Sequence, residues 1–216
     1  MVVVSSILVL VGGVWVVELS IQALKTIMNI NKLINMEVIF AIFMFFLYDL
    51  IVVSLYYNCL MIEMNIPGQG IFKLEYLVCD VNGTLAIDGV LFPGISTVIN
   101  KIQDRLIVYL ITANTHAKQS KIDFELGIEA KIIQQGNESE QKKNFITRLG
   151  PEKVIAIGQG ANDSGMLKEA AIGICVFSEE GTSIDALMSS DIVVKDGLTA
   201  LKLVQNPMRM VATLRR

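Results

Sequence analysis

From residue 61 onward the chain alternates short continuous apolar runs with longer segments of helical period, the pattern of a parallel sheet covered by helices. Ile62, Met64 and Ile66 alternate ahead of Pro67-Gly68-Gln69-Gly70, and an apolar stretch from Ile71 to Val81 follows. A hairpin is therefore expected to feed the first core strand. Asp88-Gly89 marks a tight turn between Leu85-Ala86-Ile87 and Val90-Leu91-Phe92, a small flap rather than a domain. Pro93-Gly94 opens a helix through about Asp104, and Leu106 to Ile111 is the second core strand, ending at Thr112-Ala113. A helix from about Thr115 to Leu126 stops at Gly127, where a glycine cap is expected. Ala130 to Ile133, Val154 to Ile157, Ile172 to Val176 and Ile192 to Val194 read as further strands. Glu138 to Leu149, Met166 to Ala171, Thr182 to Met188 and the stretch after the last strand read as helices.

Three of these runs deliver polar groups at their carboxyl ends: Asp80, Thr112, and the loop Gly158-Gln159-Gly160-Ala161-Asn162-Asp163. In a parallel sheet those ends share one edge, so residues far apart in sequence converge there. A carboxylate attacks phosphorus once a cation screens the phosphate charge, and an aspartyl-phosphate splits one hard transfer into two easier steps. Asp80 is the candidate nucleophile; Gly83 lets the backbone turn beneath a bound anion, and Thr84 adds a hydroxyl and an amide donor. Asp80 and Asp163 supply a pair of carboxylates suited to magnesium. The Thr112 hydroxyl and the neighbouring amides at Ala113 and Asn114 can hold a phosphoryl oxygen, and Lys142 or Lys143 can neutralise the transferred group. Asn162 suits bracing of its own loop as well as contact with a metal, His116 reads as a partly exposed helix cap, and Asp88 as a turn residue.

Taken together and in order, these segments resemble the haloacid dehalogenase superfamily of phosphohydrolases across residues 61–216, most closely the phosphorylation domain of P-type ATPases and their soluble relatives. Asp80 in Asp-Val-Asn-Gly-Thr-Leu matches the nucleophile motif, Thr112 in Leu-Ile-Thr-Ala the second motif, Lys142 the third, and Gly158 to Asp163 with Met166-Leu167 the fourth. Ser190-Asp191-Ile192-Val193-Val194 is similar to the strand that follows in the ATPases. The resemblance implies a Rossmann-like three-layer α/β sandwich with a mainly parallel sheet. It also implies a magnesium-dependent hydrolase of a phosphate ester or anhydride, with Mg2+ on Asp80, the Asn82 backbone carbonyl and Asp163. Two positions depart from the pattern. Asn82 stands where most family phosphatases carry an aspartate acid and base; an amide cannot ionise, and losing such a group costs about 10² to 10⁴ in rate. Gln159 stands where an acidic residue is common. Slow turnover is therefore expected, and a phosphate-binding or regulatory protein of the same fold is the alternative. The gaps between motifs leave no room for a cap or for the nucleotide-binding module of the pumps, so the site is expected to be open and pumping is excluded. The expected partner is a phosphorylated small molecule or a phosphoprotein, and self-association into a homo-oligomer stays open.

Composition changes the picture at the N-terminus. Residues 2–17 are apolar apart from two serines and two glycines, and residues 38–62 carry Asp49 as their only formal charge. These stretches bring the hydrophobic content to 53% and mean hydropathy to +0.56, above the usual soluble range. Residues 1–60 therefore read as an apolar leader, with three interpretations. A secretory signal is disfavoured because no Lys or Arg precedes the first apolar run and no cleavage site follows. A two-helix membrane anchor would place Lys25 and Lys32 in a cytoplasmic connector and the domain outside, a poor setting for magnesium-dependent phosphate chemistry. A translation start at Met61 or Met64 would remove the leader altogether. The net charge of −3, without a basic patch, argues against nucleic acid. Cys59, Cys79 and Cys175 fit no disulfide or zinc pattern and read as core residues in a reducing compartment. The catalytic domain is thus expected in the cytoplasm, membrane-bound only if the leader is translated.

Overall fold

The computed structural model describes residues 7–11, 14–18, 40, 42–48, 60–113 and 119–216. Two compact units divide the chain, Met1–Cys59 and Leu60–Arg216. In the first, β1 (Ile7–Val11) and β2 (Val14–Glu18) pair antiparallel with Val11 opposite Val14. The run at 2–17, expected as a candidate membrane helix, is thus a hairpin where it is described. β-Branched Val and Ile are stiff at χ1 and suit a pleated strand, and only Gly12-Gly13, a favoured hairpin-turn pair, separates the two strands in sequence. Residues 42–48 are helical, with Phe43, Phe45 and Phe46 exposed. No helix among the described residues is long and apolar enough to cross a membrane.

The second unit begins with a hairpin of β3 (Ile62–Ile66) and β4 (Gly70–Leu74), after which β5 (Tyr76–Asp80) enters the main sheet. The apolar stretch 71–81 is therefore two strands. Glu75 separates them: its amide donates to the Lys153 carbonyl at 2.9 Å and its carbonyl accepts from Ile107 at 2.9 Å, so the backbone changes partners there. β6 (Ala86–Ile87) and β7 (Val90–Leu91) form the small flap, joined by Asp88 at φ 51° and Gly89 at φ 71°. Positive φ at both central residues is the twist-matched two-residue hairpin turn.

The remaining strands are β8 (Ile107–Thr112), β9 (Lys131–Ile132), β10 (Val154–Gly158), β11 (Ile172–Val176) and β12 (Ile192–Val194). They join β5 in a six-stranded sheet of order β12-β11-β10-β5-β8-β9, every neighbouring pair parallel. The chain winds outward from β5 in both directions, so the topological switch lies beside that strand. The helices are α1 (Ile95–Gln103), α2 (Gln119–Leu126), α3 (Glu138–Leu149), α4 (Ser164–Glu169), α5 (Ile184–Met188), α6 (Gly197–Gln205) and α7 (Pro207–Leu214). Leu77 and Cys79 point into one core with Ile99 of α1, Ile122 of α2 and Leu201 of α6. Val78 points into the other with Ile146 of α3 and Leu167 of α4. This is the three-layer α/β sandwich, and burial on both faces explains why its strands read as unbroken apolar runs.

Three boundaries differ from the periodic pattern. α4 begins at Ser164, directly after a 3-10 turn at Ala161–Asp163, so helix starts where the candidate loop ends. α2 is described from Gln119, and Asn114, Thr115 and His116 lie outside the described residues. The C-terminal helical stretch is two helices, because Pro207 cannot continue α6 but fits the first turn of α7. Between β5 and α1 stands only the two-rung flap, and the fold is a capless core.

α6 bears directly on the loop after β5. Asp196 caps the helix by accepting the Thr199 amide at 2.6 Å, and the next residue, Gly197, is pressed so closely against Thr84 that a Cβ would collide with the Thr84 carbonyl oxygen. Gly197→Ala is expected to cost about 1–3 kcal/mol, the usual penalty of overpacking. Urea unfolding checks this; an unchanged midpoint would show that the helix does not seat on that carbonyl.

Candidate active site

β5 carries Asp80 to the carboxyl edge of the sheet, and the chain then turns sharply at Gly83, whose φ is +76°. The turn is closed by the Gly83 amide on the Ala86 carbonyl at 2.7 Å and the Ala86 amide on the Val81 carbonyl at 3.0 Å. Thr84, fully buried, donates its hydroxyl to Asp80 Oδ2 at 3.1 Å. The other oxygen, Oδ1, accepts from Lys142 Nζ at 2.7 Å, and the same ammonium reaches Asp163 Oδ1 at 2.5 Å. Lys142 is 0% exposed, Asp163 1% and Asp80 7%. On α3, Lys142 shares the buried face with Phe145 and Ile146, three and four residues on. An ammonium survives there only because two carboxylates meet it.

Asp163 is held from its own loop. Its Oδ2 accepts the amides of Gln159 and Gly160, both at 2.9 Å. Gly158 makes the room: a Cβ there would lie 2.6 Å from Asp163 Cγ. Both oxygens of Asp163 are engaged, one by backbone amides and one by Lys142. Burial, and then the Asp163 charge, push the Asp80 carboxyl up to about 7 against the opposing pull of Lys142 and Thr84. Burial would lower Lys142, but Asp80 and Asp163 together hold it above its ordinary value. One ammonium between two carboxylates leaves a surplus of negative charge, which a proton on Asp80 or a bound cation offsets.

The residues expected at the site converge on this edge where they are described. The Asn82 side chain donates to Thr112 Oγ1 at 3.2 Å and so links the ends of β5 and β8. Thr112 is buried and Ala113 half-buried beside it, while Asn114 lies outside the described residues. Lys142 is the lysine that reaches Asp80; Lys143 is half-buried alongside Gly165. Asn162 donates to Glu138 Oε2 at 3.1 Å, so it braces the loop against α3 rather than against its own backbone. Glu138 and Ser139 escaped the sequence reading. The Ser139 hydroxyl accepts the Gly165 amide at 3.0 Å and lies 3.3 Å from the Ser164 hydroxyl. Their only signal was position, at the start of the helix that carries the lysine. Gln159 and Glu180 both lean over Gly83, the second of them also unforeseen. Among the described residues no group of three or more His, Cys, Asp or Glu side chains is gathered to hold a metal.

A parallel sheet with helices on both faces and an acid–lysine–acid contact beside its switch point defines a Rossmann-like catalytic domain. The chain belongs to the haloacid dehalogenase-like hydrolases, whose family model matches residues 60–171. An uncharacterised protein of Methanocaldococcus jannaschii is 45% identical over 84 residues, 37% of this chain and 90% of that one. Phospholipid-transporting ATPase 10 of Arabidopsis thaliana is 48% identical over 60 residues, 26% of this chain but only 5% of the ATPase. Among solved structures, 3-deoxy-D-manno-octulosonate 8-phosphate phosphatase of Moraxella catarrhalis aligns over 66% of this chain and 94% of its own, with TM-score 0.50 and 19% identity. A subfamily III A hydrolase fold from Legionella pneumophila aligns over 65% and 87%, with TM-score 0.53 and 17% identity. These last two share the fold.

Two measurements test the charge arrangement. Lys142→Met strands two buried carboxylates and is expected to cost about 3–5 kcal/mol, whereas Lys143→Met stays within about 0.5. Urea unfolding of both variants decides. The raised Asp80 carboxyl makes the folded protein bind a proton more tightly than the unfolded chain, so its contribution to stability falls as pH rises from the ordinary carboxylate range to about 7. In EDTA, the melting temperature of Asp80→Asn should exceed that of the native protein by a margin that widens across this window and is constant above it. A margin independent of pH would contradict the assignment.

Proposed function

We propose that residues 61–216 form a slow magnesium-dependent phosphohydrolase that acts on a phosphate ester or anhydride through an aspartyl-phosphate on Asp80. The observation that carries this reading is the single buried ammonium of Lys142 bonded to both Asp80 and Asp163. It fixes a carboxylate at the strand end and places a cation where a transferred phosphoryl group would meet it. Phosphoryl transfer asks a protein chiefly for position and charge, and this edge offers both.

In the first step Asp80 attacks phosphorus and the leaving group departs with the bonding electron pair. Lys142, the Thr112 hydroxyl and the amides of Gly83, Thr84, Ala113 and Asn114 would hold the phosphoryl oxygens. Asp80, the Asn82 backbone carbonyl and Asp163 are hard oxygen donors beside a surplus negative charge, and such a set fits Mg2+. When bound, the ion would screen the phosphate charge against the incoming carboxylate. The Moraxella phosphatase, solved with magnesium and phosphate, supports the choice of ion. Asn82 cannot protonate a leaving group, so leaving groups that depart unaided should react best. That favours acyl phosphates and other anhydrides over alkyl esters. The partner is a phosphorylated small molecule or a phosphoprotein, met in the cytoplasm.

A second reading, a phosphate-binding or regulatory protein with weak turnover, rests on the same Asn82. Phosphate release from acetyl phosphate and para-nitrophenyl phosphate separates the two. The hydrolase should show release that requires Mg2+, is faster with acetyl phosphate, and drops to background in Asp80→Asn. Native protein no faster than that variant, yet still binding beryllium fluoride, would establish the second reading.

A further inference from the structure

Hydrolysis of an aspartyl-phosphate needs an acceptor for the proton of the attacking water. Asn82 cannot serve, and Asp163 is committed to Lys142 and to two amides of its own loop. Two further carboxylates among the described residues reach this edge: Glu138, which accepts the Asn162 amide at 3.1 Å and is spent on bracing the loop, and Glu180. β11 ends at Val176 beside the end of β10, one strand out from β5, and a tight turn follows at residues 178–181. The Gly181 amide closes it on the Ser178 carbonyl at 3.0 Å, and the Glu180 amide donates to the Ser178 hydroxyl at 3.2 Å. Gly181 has φ +94°, a conformation that a residue with a side chain rarely adopts.

The far side of the turn is tied down as well. The Thr182 hydroxyl donates to the Val176 carbonyl at 3.0 Å, and the Ser183 amide donates to the Gln159 carbonyl at 3.0 Å. The backbone of Glu180 is thereby held from both sides against the strand end and the Gly158–Asp163 loop. Its side chain lies over the turn below Asp80: a Cβ placed on Gly83 would stand 2.7 Å from Glu180 Oε2 and would collide with Gln159 Nε2. Gly83 follows Asn82 directly, so a carboxylate and an amide overhang the residue next to the one that lacks a proton acceptor.

We propose that Glu180 is the general base for breakdown of the aspartyl-phosphate, with Gln159 beside it orienting the water. The inference rests on the reading of Asp80 as nucleophile. In this step the water oxygen bonds to phosphorus while its proton passes to the Glu180 carboxylate. The bond between phosphorus and the Asp80 oxygen breaks, its electron pair returns to Asp80, and inorganic phosphate leaves. Glu180 is exposed and hands the proton to solvent. Over Gly83 its carboxylate is accompanied by the neutral Gln159 amide; Glu179 and Asp185 are the charged residues on the same loop and the helix that follows.

Formation and decay of the phosphoenzyme can be timed separately on the full chain with phosphorus-labelled acetyl phosphate, acid quench and a chase of unlabelled reagent. In Glu180→Gln, labelling should proceed at the native rate and decay should slow by about 10² or more, so that phosphoenzyme accumulates. Glu179→Gln should behave as the native protein, and a thermal melt of each variant shows whether it is folded. Native decay in Glu180→Gln, or an equal loss in labelling and decay, overturns the assignment of the base. No label on the native chain, or undiminished label in Asp80→Asn, overturns instead the nucleophile on which it depends.

Discussion

Burying an ammonium costs several kcal/mol unless its partners are in place, and Lys142 is buried completely between Asp80 and Asp163. Three separate segments must therefore agree in position before that cost is recovered: the end of β5, the loop after β10 and the buried face of α3. The supporting contacts show how the agreement is kept. Asn162 reaches Glu138, and Ser139 receives the Gly165 amide, so the loop that carries one acid is bound to the helix turn just before the lysine. A glycine at 165 is part of the same device, because a Cβ there would lie 2.6 Å from the Ser139 carbonyl oxygen. The chemistry and the packing of this face are one constraint.

The two halves of the proposed reaction draw on different parts of the edge. In the proposed mechanism Asp80, Thr112 and Lys142, on β5, β8 and α3, are buried, so they need little rearrangement when charge develops. Groups that would handle the water stand farther out, on the turn after β11 and on Gln159. This division suits an enzyme in which the first transfer is well supported and the second depends on a peripheral side chain. The Asn82 contact with Thr112 belongs to the first half: it spends the amide on holding two strand ends together.

Much of this was legible in the sequence, for reasons that can be traced to particular residues. The core strands are apolar without interruption because both faces are covered, and the polar residues that end them share an edge by topology alone. Convergence of Asp80, Thr112 and Asp163 followed from that. The choice of Lys142 over Lys143 could have been drawn from periodicity, since Phe145 and Ile146 mark the buried face three and four residues on. Other features were hidden. An apolar stretch from Ile71 to Val81 conceals the exchange of backbone partners at Glu75, because hydrogen-bond direction leaves no trace in side-chain type. In the leader, length and hydropathy are silent on the pairing of β1 with β2, and its β-branched composition is the better guide. Glu180 is an exposed glutamate beside another, and only the folded turn distinguishes the two.

The strand order has a consequence in time. β5 has a hydrogen-bonded neighbour on each side, β10 and β8, and those in turn are flanked by β11 and β9. Its amides are the ones least able to meet solvent without opening the whole sheet, whereas the short outer strands β9 and β12 can fray by themselves. The proposed nucleophile is thus mounted on the slowest-breathing element of the fold, and exchange of amide hydrogens along Tyr76–Asp80 reports global unfolding even while the margins of the domain fluctuate.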